Sequence, residues 1–335
     1  MHDRDASGIN VKRLICVFLV NLLAATSFAD TLTDEAFQNL ANEYINDLAN
    51  ISPVLATSVG DHSADGELDD VDDDARAETL SLYREYKTAL NGLDRNELTR
   101  ANQVDAEMLL HEIESSIWSI ETLQEWAWNP LYYVDMSGNA IYALIARDFA
   151  PIEQRLMAAA SRLEQLPQFL EQARGSIETD RVPKIHAETA IKQNPGLSSI
   201  IEAMIVPKME ALPAAQQARL NAAIETAKDA LADHQTWLEE ELLPRANGDF
   251  RIGAKLYDTK LAFALNSPMS RKEITARAER EYETVRNTMY EVAKEVYAGK
   301  HPFTAFPDNP DESYKQAIIR AALEEAYRQL PPRDG

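Results

Sequence analysis

The sequence predicts an all-α fold built from long helices packed in antiparallel pairs. Three observations support this prediction. Apolar residues recur at alternating steps of three and four, which places them on one face of a helix. Alternating polar and apolar runs of strand length are absent, and only 11 glycines interrupt the 335 residues. With 45% hydrophobic residues, the chain can bury a large core.

The first 29 residues have the pattern of a secretory signal peptide. Lys12 and Arg13 precede an apolar run, and Ser27 and Ala29 frame a small-residue cleavage site. The run, residues 14–25, is well short of the roughly 20 residues that cross a bilayer as a helix. We therefore expect export to the periplasm or the extracellular space, without stable membrane insertion. One helical domain should occupy residues 30–335.

Charge and cysteine content exclude several function classes. The chain carries a net charge of −22, and loss of the first 29 residues, which carry +1, would leave −23. Such a field repels nucleic acid. The single cysteine, Cys16, lies inside the signal segment. The mature chain would therefore have no disulfide, no thiolate nucleophile and no cysteine-ligated zinc.

One long helix is predicted over Glu97–Trp126. It would span about 45 Å at 1.5 Å per residue. Asn129 and Pro130 follow and are expected to end it, because proline cannot continue the helical hydrogen bonding.

Two long apolar stripes predict the core helices. The first runs through Ile152, Leu156, Ala159, Leu163, Leu166, Leu170, Ala173 and Ile177, and the second through Leu220, Ile224, Ala227, Leu231, His234, Leu238 and Leu242. Pro167 interrupts the first stripe and predicts a kink or the start of a new helix. His234 lies on the second stripe and is expected in the core with one hydrogen bond satisfied.

A third stripe lies near the C-terminus and predicts an uncovered surface. Its residues are Ile274, Ala278, Tyr282, Val285, Met289, Val292 and Val296. Ser270 and Glu273 precede it with the spacing of a capping box. A further helix contains Ile318 and Ala322, and few residues remain after it to cover either apolar face. We therefore expect an exposed apolar patch larger than a monomer normally shows.

The acidic run from Asp61 to Asp72 allows two interpretations. Oxygen-bearing residues fall at positions 1, 3, 5 and 9 of a calcium loop and glycine at position 6, but Asp72 replaces the usual glutamate at position 12. Alternatively, the run is an acidic loop that enters a helix, whose positive N-terminal dipole attracts carboxylates. The second interpretation is preferred, and calcium binding stays open.

The histidines do not form a zinc motif. The nearest match is His111-Glu112, with Ser115 in place of the second histidine that a helical site requires. His186 and Glu188 are two residues apart and would point to opposite sides of a helix. No metal ligand and no catalytic residue is therefore predicted in this chain.

Two local features indicate specific structure. Trp118, Trp126, Trp128, Tyr132, Tyr133 and Tyr142 concentrate around Pro130 and would fill a helix junction or line a substrate cleft. Gly248 and Gly253 bracket Asp249 and Arg251 directly after the helix break at Pro244. Such a bracket predicts a tight turn in which both glycines are conformationally required.

The chain resembles domain-of-unknown-function family 885. The segments that carry the resemblance include EWAWNPLYYVD from Glu125, RDFAPIEQRL from Arg147 and LLPRANGDFRIG from Leu242. It extends over essentially the whole mature chain. Full-length members look like secreted or lipid-anchored helical zinc metallopeptidases, about twice this length, whose HExxxGH zinc motif lies in a C-terminal half.

The resemblance implies that this chain is the N-terminal half, an irregular helical array that forms one wall of a cleft. None of the family's zinc or general-base residues has a counterpart here, so zinc is implied only for the full-length protein. By the same analogy, the candidates for cleft or interface contacts are Asn129, Tyr132, Tyr133, Asp249 and Arg251. Each of these side chains could equally be structural.

Three function hypotheses follow. The first is a scaffold half of a secreted zinc-metallopeptidase-like protein, inactive alone, whose partners are the missing C-terminal half or another chain and, in the full-length form, a peptide substrate. The second is a free-standing acidic helical binding or scaffolding protein of the periplasm. The third is a hydrolase with an unrecognised carboxylate site.

Overall fold

The computed structural model describes residues 33–330, and the predicted signal peptide, with Cys16, lies outside them. The all-α prediction is confirmed. The described residues contain no β-strand, only an isolated bridge between Pro183 and Gly248. The chain divides into two compact units: unit 1 extends to Leu256 and unit 2 begins at Tyr257. Each unit is described by itself.

Unit 1 holds most of the helices. A first helix, α1, covers residues 33–51. The others are α2 (Pro53–Val59), α3 (Asp73–Gly92), α4 (Arg100–Trp118), α5 (Glu125–Trp128), α6 (Leu131–Ala146), α7 (Ile152–Ser176), α8 (Lys184–Gln193), α9 (Gly196–Ile200), α10 (Ala214–Trp237) and α11 (Leu243–Arg245). Short π-helical segments extend α4, α9 and α10 over Ser119–Leu123, Ile201–Ile205 and Leu238–Leu242.

The main core of unit 1 is formed by α6, α7 and α10. The two predicted stripes supply it, and their residues are buried from Leu156 to Ile177 and from Leu220 to Leu242. The helix α7 continues through Pro167, so the alternative of a new helix starting there is wrong. Packing of both flanking turns in the core outweighs the lost backbone hydrogen bond, because helix stability in proteins comes mainly from burial of the apolar face.

A second, smaller core joins α1, α3 and α4. Its buried residues include Phe37, Tyr86, Leu90 and Ile113. The helices α3 and α4 run antiparallel. Arg84 pairs with Glu121, whereas Lys87, further along α3, pairs with the earlier residue Glu114.

The predicted single helix over Glu97–Trp126 is wrong. The chain forms a short 3₁₀ turn at Arg95–Glu97, and α4 begins only at Arg100. At the other end Gln124 adopts a left-handed backbone, with φ of 53°. The indole N–H groups of Trp126 and Trp128 donate to the carbonyls of Ile120 and Leu123, at 3.0 and 2.9 Å. Side-chain donors thus replace the backbone donors that a continuing helix would supply.

Unit 2 contains α13 (Arg271–Lys300) and α14 (Glu312–Arg328), preceded by α12 (Ala254–Leu265), which begins just before the unit boundary. The predicted capping box is confirmed: the Ser270 N–H donates to Glu273 at 2.8 Å, and the Glu273 N–H donates to the Ser270 hydroxyl at 3.3 Å. The helices α13 and α14 run in the same direction. Arg286 contacts Glu312, and Lys300, further along α13, contacts Glu325, further along α14.

His234 lies in the main core, as predicted, and is 3% exposed. Its Nδ1 atom has no hydrogen-bond partner within residues 33–330. Burial lowers the pKa of His234 to about 4, and the positive charge of Arg174 acts in the same direction. The ring stacks on Trp237 at 5.5 Å.

This buried histidine predicts a loss of stability on mild acidification. Because the folded state binds fewer protons than the unfolded state, whose histidine pKa is about 6.5, stability should fall as the pH drops from 6.5 towards 4. At pH 5 the contribution is about 2 kcal/mol. The free energy of unfolding of unit 1 should differ less between pH 7 and pH 5 in His234→Phe than in the wild type. His111 is half-buried on α4, and His111→Gln serves as a control. If His234→Phe showed the same change in unfolding free energy between pH 7 and pH 5 as the wild type, the expectation would be contradicted.

Candidate functional site

The acidic run is a structural loop. Asp72 caps α3 by accepting from the Ala75 N–H at 2.9 Å, as the preferred interpretation predicts, and Asp73 follows in the first turn. Asp69 accepts from the Val54 N–H at 2.8 Å. No three acidic, histidine or cysteine side chains among residues 33–330 approach closely enough to share a metal ion.

Arg162 on α7 holds this loop against the core. Its side chain is fully buried and donates to the Glu67, Ala140 and Pro53 carbonyls at 2.8, 2.7 and 3.1 Å. It also donates to the Thr57 hydroxyl at 2.7 Å. One guanidinium therefore joins α2, the acidic loop and α6, and this central role was not anticipated from the sequence.

Asn129 caps the turn between α5 and α6. Its amide donates to the Glu125 carboxylate at 2.9 Å, and its side-chain oxygen accepts from the Leu131 N–H at 3.2 Å. Both polar groups of the side chain therefore serve the local fold. Asn129 does not line the cavity described next.

Tyr132 and Tyr133 meet at a cavity of about 180 Å³ in unit 1. Tyr133 is buried and donates to the Trp126 carbonyl at 2.8 Å, whereas Tyr132 is 42% exposed. Their rings pack edge to face at 5.2 Å. Burial raises the pKa of Tyr133 to about 12 and also raises the pKa of Tyr132. Both phenols are therefore neutral at physiological pH.

Arg76 and Trp126 also line the cavity. The Arg76 guanidinium lies 4.1 Å from the centre of the Trp126 ring and donates to the Ser176 hydroxyl at 2.9 Å. It also pairs with Asp73. Its charge is therefore already balanced within the protein, and Trp126 is held in a fixed orientation.

Asp249 and Arg251 lie in an exposed turn and do not line the cavity. Asp249 accepts from the Arg251 N–H at 2.9 Å, and the Arg251 guanidinium covers the Phe250 ring at 4.2 Å. The predicted requirement for glycine has two different causes. Gly253 has φ of +83°, whereas Gly248 lies directly against the backbone of Arg181.

The histidines considered as metal ligands do not belong to any group of three or more metal-ligating side chains within residues 33–330. His186 stacks on Trp128 at 5.7 Å, and burial lowers its pKa although Glu125 opposes the shift. Glu188 forms a surface ion pair with Lys184 at 3.9 Å.

The third apolar stripe forms one side of a groove of about 450 Å³ in unit 2. Val285, Met289, Val292 and Val296 on α13 face Ile319, Ala322, Leu323 and Ala326 on α14, and almost no polar atom lies on the groove surface. Val292 is 57% exposed. These residues, called the unit 2 groove below, form a surface that water contacts but that has the composition of a core.

The comparisons with known proteins agree with this architecture. A family model described as bacterial protein of unknown function (DUF885) matches residues 53–333. A solved structure from Shewanella oneidensis, provisionally classed as a lipoprotein of unknown function, has a TM-score of 0.72 and 26% sequence identity. The alignment covers 89% of this chain but 54% of the Shewanella chain, so this chain spans about half of that relative. No curated protein matches. None of the helices in residues 33–330 has the length and apolar character needed to cross a membrane.

Proposed function

Because the chain belongs to the family of bacterial proteins of unknown function DUF885, we propose that it is the scaffold half of an exported, zinc-metallopeptidase-like protein. Its role is to form one wall of a cleft in which a peptide binds. A second segment supplies the catalytic groups and covers apolar surface of this chain. On this proposal the chain alone does not hydrolyse peptides.

The unit 2 groove is the observation that carries the proposal. Burial of apolar surface contributes roughly 25 cal/mol per Å², so a groove lined almost wholly by aliphatic side chains favours a covering partner. The alignment covers 54% of the Shewanella chain, and on this proposal the part of the full-length protein that corresponds to the remainder covers the groove. An amphipathic helix would fit the groove, since α13 and α14 present apolar side chains at helical spacing.

The described residues do not fit a zinc site. His111 and Glu112 have Ser115 where a second histidine would be needed, and residues 33–330 contain no cluster of three or more metal-ligating side chains. The proposal therefore places zinc ligation and general-base chemistry in the second segment. This chain contributes shape, apolar contact and neutral aromatic surface.

Val292→Asp tests the groove directly. The full chain is mixed with a polypeptide comprising the part of the Shewanella protein that this chain does not cover, and complex formation is measured by analytical ultracentrifugation. The wild type should form a one-to-one complex, and Val292→Asp should weaken it at least about 10-fold, because a carboxylate would be desolvated against aliphatic side chains. The same variant should reduce binding of a hydrophobic dye to the isolated chain.

Thr284→Asp is the matched control. Thr284 is exposed on the same helix, outside the unit 2 groove. The substitution therefore adds the same charge as Val292→Asp without placing it in the interface. Equal weakening by both variants would indicate a general charge effect rather than docking at the groove. A monodisperse chain that binds neither the dye nor the second segment would contradict the scaffold proposal and favour a free-standing binding protein.

A further inference from the structure

The cavity beside Tyr132 and Tyr133 lies between the two cores of unit 1. Val71 and Tyr133 belong to the main core, whereas Leu48 and Tyr83 pack on the smaller core of α1, α3 and α4. Leu55, which is 39% exposed, and Tyr132 mark its solvent side. The cavity therefore follows a seam between two separately packed groups of helices.

Its size suits a small ligand. Protein interiors contain few voids larger than a water molecule, because close packing maximises dispersion contacts. An apolar cavity of roughly 150 Å³ can bind benzene. The cavity here, at about 180 Å³, has room for one six-membered ring with a small substituent.

Its chemistry favours an uncharged aromatic group. Trp126, Tyr83, Tyr132 and Met136 line the cavity and supply aromatic rings and a thioether, which pack well against an aromatic ring. Arg76 offers no free charge to an anion, because it is paired with Asp73 and held over Trp126. Asp69 and Asp70 at the edge would repel an anionic substituent.

Tyr132 adds a polar contact. The structure shows no hydrogen bond to its hydroxyl from any of residues 33–330, and the raised pKa keeps that hydroxyl protonated. A neutral hydroxyl can both donate and accept a hydrogen bond. A ligand with a hydroxyl substituent on its ring would therefore supply a partner for this group.

We propose that this cavity is a binding site for a single phenol-type ring, either as a free small molecule or as a tyrosine side chain. The proposal goes beyond the scaffold role, since every residue lining the cavity lies in unit 1 and none belongs to the unit 2 groove. The ring would contact the aromatic and thioether lining, with its hydroxyl near Tyr132.

Calorimetry of the full chain with p-cresol and with N-acetyltyrosinamide tests the proposal and distinguishes the two sources. At least one should bind with a stoichiometry of one and a Kd below about 1 mM, as expected for a ligand of this size in a preformed cavity with aromatic walls and a few polar groups. Ala75→Leu, which adds carbon atoms to the cavity wall, should weaken binding at least about 10-fold. Ala77 is exposed on the same helix and lies outside the cavity, so Ala77→Leu should leave binding unchanged.

Tyr132→Phe supplies a second test that leaves the packing intact. It should weaken p-cresol binding about fivefold, the effect of one neutral hydrogen bond, and leave toluene binding unchanged. Tyr142→Phe, on the same helix but outside the cavity, is its control. Absence of saturable binding for both phenols would overturn the proposal, as would equal affinity in the wild type and Ala75→Leu. Either result would stand whether or not the unit 2 groove binds a second segment.

Discussion

Replacing Gly248 with alanine is expected to destabilise unit 1 by about 3 kcal/mol or more, because the new methyl group would collide with backbone. A Cβ at this position would lie 2.0 Å from the Arg181 carbonyl oxygen and 2.5 Å from its carbonyl carbon. The Gly248 N–H also donates to the Val182 carbonyl at 3.0 Å, which fixes the two segments at that separation. Backbone cannot rotate away as a side chain can, so the clash requires loss of this contact.

Tryptophan fluorescence during urea denaturation is a suitable measurement, because all four tryptophans lie in unit 1. Gly175→Ala, near the end of α7, has open space around the added methyl group and should leave stability unchanged or slightly raised. Gly253→Ala should lie between the two, with a cost of about 1 kcal/mol from its positive φ alone. A Gly248→Ala variant as stable as Gly175→Ala would show that the close approach is not maintained in solution.

Arg162→Met should cost about 3–5 kcal/mol, the range for removing one partner of a buried charged network. The variant keeps an unbranched side chain in α7 but removes four hydrogen bonds. It leaves buried carbonyls unsatisfied and removes the positive charge near Asp65 and Asp69. Since natural domains are stable by only about 5–15 kcal/mol, much of unit 1 should unfold at low denaturant concentration.

Arg219→Met provides the comparison for Arg162→Met. Arg219 also makes a two-pronged interaction, with Glu164 at 2.8 and 2.7 Å, but its side chain is half exposed. Solvent competes with such a pair, so the loss should be less than about 1 kcal/mol. If the two variants had equal denaturation midpoints, burial would not be the source of the Arg162 contribution.

Much of the fold could be predicted because apolar periodicity is a local property. The stripes through Leu163 and Leu231 identify their helices and buried faces without knowledge of any partner. The break at Gln124 could not be predicted in this way, since it depends on indole groups that reach back to carbonyls of the preceding turn. Glycine was expected at Gly248 because of a tight turn, whereas the structure shows a different reason, a close approach to the backbone of Arg181, far away in sequence.

The candidate site shows the same division. Tyr132 and Tyr133 belong to the aromatic concentration near Pro130 and were singled out as cleft candidates by the family resemblance, and both line a cavity. Its other walls include residues of α1, α2, α3 and the acidic loop, and the sequence offers no signal that links Leu48 or Thr79 to this place. Asp249 and Arg251 were selected from a family resemblance alone, and the structure places them in a turn away from the cavity. Their involvement in an interface stays a prediction.

The shared direction of α13 and α14 has a kinetic consequence. Two antiparallel helices can zip together from the turn that joins them, but here residues 301–311 must first return along α13 before any contact between the helices can form. The entropy of closing that connection is lost before packing compensates for it. In unit 2, α13 and α14 should therefore pair late in folding, after the first helical turns of α13 have formed. During that interval its aliphatic side chains are available to chaperones and to other copies of the chain.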